Sequence, residues 1–259
     1  MLPGIKVGEY LRDIEIRVVE SKSRIEAACD LLNDRYAWRG YGRGHKIVTD
    51  PYHITFTAEL DGNVVGTITL GVDSANGLAS DRSFRDHNDR LRKRGAKICE
   101  LKRFAFCPSV QSKELKAALF HIVFVYGSRT FGCTDLMIEV NERHVRFYEA
   151  MLCFIRVGEP RHNAVIDRPV QLLRLEVAKI RDYINQASAN AGTVNTRSLY
   201  SLFLSPSEEA AIYRRLAGDA VDSRHGSRQD CVTNGWPHLP AWQSHAMLRG
   251  SNASNALAA

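Results

Sequence analysis

The 259 residues contain no CxxC pair; the six cysteines (Cys29, Cys99, Cys107, Cys133, Cys153 and Cys231) are scattered. Such thiols act as small hydrophobes, so the chain is not a disulfide-dependent miniprotein and a reduced cytoplasm is expected. No grouping of His, Cys and carboxylates has metal-ligand spacing and no Ser-His-Asp pattern is present, so neither a metal nor a hydrolytic triad is expected. Long apolar runs are also missing. The longest, Leu115 to Val125, is broken by Lys116 and His121 and falls well short of the roughly 20 residues of a membrane span. The N-terminal "MLPGIKVGEYLRD" has no charged segment leading into an apolar one, so no signal peptide is expected.

The chain is 44% hydrophobic and can build a sizeable core, and its net charge of +6 favours an acidic partner. Basic residues crowd "DRSFRDHNDRLRKRGAK" (81–97), but Asp81, Asp86 and Asp89 alternate with them and aromatic interleaving is absent. That pattern reads as a solvated helix face or an irregular segment, and nucleic acid is not an expected partner.

"IEIRVVES" (14–21) alternates as a strand and "SRIEAACDLLNDRYAW" follows with helical spacing. "RGYGRGHKIVTDP" (39–51) reads as a glycine-rich loop. "HITFTAEL-DG-NVVGTITL" is a hairpin on Asp61-Gly62, a pair suited to a type I′ turn. "ICELKRFAF" (98–106) is a strand stopped by Pro108, the stretch 112–132 is apolar nearly all round and reads as a buried helix, and 134–141, 143–152 and 170–177 read as strand, helix and strand. The order predicts an α/β (α+β) domain over residues 1–180 with a mixed sheet. Residues 181–218 form a helical extension, with Ser205, Pro206 and Glu208 matching a capping box; 219–259, Trp236 and Trp242 included, read as a disordered tail.

Strand 98–106 raises a question, because alternation puts Ile98, Glu100, Lys102, Phe104 and Phe106 on one face and Cys99, Leu101, Arg103 and Ala105 on the other. Each face holds a charge. Such a strand either lines a wet cleft or joins an ion-pair network.

Several strings resemble the GCN5-related N-acetyltransferase (GNAT) fold. "NERHVRFYEAMLCF" resembles its late signature, with Cys153 where a glycine is usual, and "CELKRF" resembles the Glu-x-x-Arg-Phe strand of acyl-homoserine lactone synthases. "NGLASD", "CELKRFAF", "RHVRFYEAMLCF" and "RPVQLLRL", in that order across residues 14–178, are most similar to long-chain N-acyl amino acid synthases of the FeeM type.

That resemblance implies a GNAT-like, mostly antiparallel sheet flanked by helices. It implies a bacterial, cytoplasmic acyltransferase that moves a fatty acyl chain from acyl carrier protein to an amino acid. An acyl-homoserine lactone synthase and a non-catalytic acyl-carrier-binding module are the alternatives. No resident cofactor is expected, only the acyl-phosphopantetheine of the carrier as co-substrate. Acetyl-CoA users carry a glycine-rich pyrophosphate loop before the long helix. This chain has "PSVQSKELKAAL" there, which cradles a diphosphate poorly but leaves Ser109, Ser112, Lys113 and Lys116 to serve a single phosphate or the carrier.

Within that frame Glu100 stands as general base, directly or through a water, or as one half of a salt bridge. Arg103 holds the acceptor carboxylate or a structural anion. Tyr148 is a general acid or a packing residue, and Phe104 and Phe106 line an acyl tunnel or the core. Trp38, Tyr41 and His45 close over the acceptor or form a plain surface loop. His144 is expected in a cap or local hydrogen bond, and His121 in the core.

Overall fold

The computed structural model describes residues 5–7, 11–110, 112–189 and 198–214. Eight strands form one sheet: β1 (Ile5–Val7), β2 (Leu11–Val18), β3 (His53–Leu60), β4 (Asn63–Val72), β5 (Ile98–Phe106), β6 (Asp135–Asn141), β7 (Ile155–Asn163) and β8 (Arg168–Glu176). Their order across the sheet is β1-β2-β3-β4-β5-β6-β8-β7. Among these pairs only β5–β6 is parallel. A parallel pair needs a crossover, and the long buried helix between the two strands supplies it.

The helices are α1 (Lys22–Trp38), α2 (Asp81–Lys93), α3 (Lys113–Phe131), α4 (Glu142–Leu152), α5 (Val177–Ala189) and α6 (206–214). α1 and α2 cover the face that carries Ile98, Ala105 and Met137. α3, α4 and α5 share the main core on the other face with Leu101, Leu136 and Ile138. α3 is apolar all round because it lies between the sheet and the segment 198–214. Ser112 caps its start by accepting from Leu115 N at 2.9 Å, and Gly132, at φ 63°, ends it. The hairpin turn is as expected, with φ of 50° at Asp61 and 78° at Gly62.

Strict alternation along β5 fails at Arg103. Thr67 pairs with Ala105 and Thr69 with Lys102, so Ile68 alone faces the two residues Arg103 and Phe104. This is a β-bulge, and Arg103 takes φ 53° within it. One extra residue reverses every later side chain. Glu100 and Lys102 therefore stay on the α1–α2 face, whereas Phe104 and Phe106 pack into the α3 core. Gly66 makes room for this reversal: a Cβ there would come within 2.7 Å of Phe106 Cε1.

Other expectations are corrected. The segment 71–97 is not irregular throughout but contains helix α2, kinked at Phe84 (φ −133°, ψ 30°). β7 carries no alternating signal because it is a largely exposed edge strand interrupted by Gly158 and Pro160. Cys99 and Cys133 are joined as a disulfide with Cα atoms 6.1 Å apart, since the α3 crossover brings the start of β5 beside the start of β6; the reading of all six cysteines as free thiols does not hold for this pair. No helix among the described residues is long and apolar enough to cross a membrane.

The extension is docked on the domain. Leu199, Tyr200 and Ile212 are buried in the main core, and Tyr200 donates from its hydroxyl to Leu152 O at 2.7 Å. The capping box at Ser205 forms, with Ser205 N donating to Glu208 Oε2 at 2.8 Å. Glu209, 1% exposed, joins Arg129 at 2.7 Å and Arg181 at 3.0 Å. Residues 215–218 and 219–259 of the expected extension and tail lie outside the described residues.

Candidate active site

β5 and β6 pair only at Ile98↔Asp135, Cys99↔Leu136 and Glu100↔Met137, and then diverge. The bulge at Arg103 bends β5 away just beyond the last pair. A cavity of about 430 Å³ occupies the opening. It is lined by Leu101 to Phe106 of β5 and Ile138 to Asn141 of β6, with α1, the loop after it, α3, α4 and the β7–β8 hairpin completing the wall. Because the opening interrupts the sheet, groups from both faces reach one space.

The α1 side is polar. Tyr36, Arg39, Tyr41, His45, Lys102, Arg103, Glu139 and Asn163 border the cavity there. Asn33 fixes the loop: its side chain donates to His45 O at 2.9 Å and accepts from His45 N at 2.8 Å. Arg143 adds a second tie, donating to Arg39 O at 2.9 Å and lying 5.0 Å from the Tyr41 ring centroid. Arg103 forms no ion pair among the described residues. Burial lowers its pKa, the Tyr36 and Cys29 side chains oppose this, and the guanidinium remains a cation. Burial likewise lowers Lys102 and pushes the Tyr36 phenol up to about 12.

The opposite side is aromatic. Phe104 packs edge-on to Phe106 at 4.8 Å and lies 4.7 Å from Phe120, and Phe147 and Tyr148 continue the wall, their rings 5.1 Å apart. Tyr148 is buried, which raises its phenol pKa strongly and keeps it protonated at neutral pH. Lys116 borders this end, 6.0 Å from the Phe106 ring centroid, with its pKa lowered by burial. His144 also lines the cavity; burial, then Arg143 and Arg39, lower its pKa, and it accepts from Arg143 Nε at 3.2 Å.

Of the residues picked from the sequence, the fold gathers Arg103, Phe104, Phe106, Tyr41, His45, Tyr148, His144 and Lys116 around one cavity. Trp38 lies outside it, 75% exposed beside Arg35. Ser109 pairs with Cys107 Sγ at 3.1 Å, Ser112 is committed to its helix cap, and Lys113 is exposed.

Glu100 does not border the cavity. It is 2% exposed, and its carboxylate accepts from Ala79 N at 3.0 Å and Ser80 N at 2.9 Å, tying down the N-terminal turn of α2. Neither alternative weighed from the sequence, base or salt-bridge partner, describes these contacts. Glu139 and Asn163 were not legible as site residues, since only the sheet topology brings β6 and β7 to the opening.

The FeeM N-acyl amino acid synthase family model matches residues 27–176. A solved structure of FeeM, an N-acyl amino acid synthase from uncultured soil microbes, is 24% identical, with a TM-score of 0.61, covering 65% of this chain and 94% of that one. The AHL synthase LasI is 16% identical, with a TM-score of 0.45 and coverage of 63% and 90%. An acyl-CoA N-acyltransferase from Pseudomonas aeruginosa is 13% identical, with a TM-score of 0.42 and coverage of 62% and 97%. Among curated proteins no sequence matches. With more than half of its length matched and its sheet opened in the manner described, the chain belongs to the FeeM family of N-acyl amino acid synthases, acyltransferases of GNAT-like fold.

Proposed function

We propose that the enzyme transfers a long-chain fatty acyl group from the phosphopantetheine of acyl carrier protein to the α-amino group of an amino acid. The carrying observation is the two-sided cavity between β5 and β6, with the unpaired Arg103 on one side and Phe104, Phe106 and Tyr148 on the other. A free amino acid needs an anion clamp for its carboxylate, which a guanidinium provides bidentately. A fatty chain needs an apolar wall, and the thioester must lie where the two meet.

Beyond Glu100 and Met137 the facing edges of β5 and β6 have no strand partner on that side among the described residues. Their backbone groups can bond the amides of a pantetheine arm as a missing strand would. Lys116, with the exposed Lys113 three residues earlier on α3, supplies positive charge for the arm's phosphate or the acidic carrier. No resident cofactor is invoked; the acyl-phosphopantetheine is a co-substrate, and the cytoplasm is where we place the reaction.

Chemically, an ammonium must lose a proton before its nitrogen can attack the thioester carbonyl. The C–N bond forms, the C–S bond breaks, and the second nitrogen proton ends on the departing thiolate. A thiolate, with an ordinary pKa of about 8.5, is too weak a base to take a proton from a phenol of raised pKa. Tyr148 therefore serves as a hydrogen-bond donor that stabilises the leaving sulfur.

The test is incubation of pure protein with long-chain acyl carrier protein and pooled amino acids, with mass spectrometry of the products. An N-acyl amino acid is expected. Faster turnover of acyl-CoA at equal concentration would overturn the donor, and a lactone product would overturn the acceptor.

A further inference from the structure

We propose that Glu139, on the β6 side of the opening, is the general base that deprotonates the acceptor's ammonium; this rests on the acyl-transfer reading above. It is the only carboxylate among the residues that line the cavity. Asn163 on β7 donates its side-chain amide to Glu139 Oε1, which fixes the carboxylate from one side. Oε2 is buried and accepts no close hydrogen bond, with the Ser83 hydroxyl of α2 near enough to favour the charged carboxylate. A buried acceptor oxygen left unsatisfied is costly, and a bound ammonium would satisfy it. Arg103 stands on the opposite strand of the same opening. Facing strands of the opening thus carry one cation for the acceptor's carboxylate and one carboxylate for its ammonium.

The surroundings suit a base. Desolvation raises the Glu139 pKa, and the charge of Glu100 on β5 adds to it. Asn163, Ser83 and Arg82 of α2 act in the other sense. A base works best when its pKa approaches the operating pH, so a desolvated carboxylate is better matched to an α-ammonium than an ordinary one. Glu100 has both oxygens engaged by backbone N–H groups and lies off the cavity, so it acts as a positioning residue for α2 and, through its charge, for Glu139.

The reaction balances without any further reagent. Glu139 accepts one proton from the ammonium and releases it to solvent. The neutral amine attacks, and the remaining proton lost from nitrogen protonates the thiolate.

The experiment compares wild type, Glu139→Gln and Glu139→Ala with acyl carrier protein as donor, under saturating acceptor. Turnover of Glu139→Gln should fall about 10²-fold or more, with KM for the acceptor changed far less and the melting temperature retained. Added formate should partly restore Glu139→Ala. A Glu139→Gln enzyme with near-normal turnover would overturn the assignment, as would loss confined to KM, which marks a binding role only. If Glu139→Gln does not fold, formate rescue of Glu139→Ala decides: rescue supports the base, and no rescue in a folded variant overturns it. A wild-type enzyme inactive with every donor would overturn the acyl-transfer reading itself, whereas an active wild type beside an unaffected variant overturns only Glu139.

Discussion

Replacing Glu100 with Gln separates a structural clamp from a catalytic base. The carboxylate accepts two backbone N–H bonds, from Ala79 at 3.0 Å and Ser80 at 2.9 Å, in a site 2% exposed. Hydrogen bonds to charged groups are worth about 1.5–3 kcal/mol each. The amide keeps one acceptor and turns its NH2 against the other backbone donor, so one bond is lost outright and the second becomes a neutral one. The expected loss is about 2–4 kcal/mol. At about 2–4 °C per kcal/mol for a domain of this size, the melting temperature should fall by about 4–16 °C, as differential scanning calorimetry would record. Turnover below that temperature should stay within about threefold of wild type, because the group does not border the cavity. A second effect follows from the field. Glu100 helps hold the Glu139 pKa up, so its neutralisation should lower that pKa and move the acid limb of the turnover profile to lower pH. A drop of about 10²-fold in turnover with an unchanged melting temperature would refute this account and make Glu100 the base.

Arg103 sits at φ 53°, where a side chain costs about 1–2 kcal/mol and glycine little. Arg103→Gly should therefore leave stability nearly unchanged while KM for the acceptor rises about 10-fold or more; an unchanged KM would remove Arg103 from the acceptor site. Changing Lys113 and Lys116 together to Glu should raise KM for acyl carrier protein with the fold intact, and the wild-type KM should rise with salt. Equal constants for the two proteins at low salt would contradict this. Docking of 198–214 should weaken in acid. His121 is buried with its pKa below the ordinary 6.5, its Nδ1 accepting from Leu204 N at 2.9 Å, and Glu209 is held below 4.5 by His121, Arg181 and Arg129. In both cases the unfolded chain binds more protons, so stability falls as pH drops, first below about 6.5 and again below about 4.5. Hydrogen exchange in 198–214 that is equally slow at about pH 5 and about pH 7.5, after correction for intrinsic rates, would refute it.

How much of the fold and site was legible follows the range of the forces involved. Local sequence alone specifies the Asp61-Gly62 turn, the Ser205 cap and the all-round apolar face of α3, because each depends on dihedral preference or periodicity within a few residues. The left-handed position at Cys153, φ 57°, explains why a glycine is usual there in the resembling strings. Tertiary structure decided the rest. Nothing local to "CELKRF" announces that β4 leaves Arg103 unpaired, yet that one residue moves Phe104 and Phe106 to the opposite face from Glu100. Glu100 found its partners in backbone N–H groups 20 and 21 residues away, which no side-chain pattern can reveal. Glu139 reads as an ordinary polar residue in an alternating strand until the divergence of β5 from β6 places it on a cavity wall and takes it out of water. Dihedral preference acts within a few residues, whereas desolvation and register depend on what the rest of the chain lays alongside.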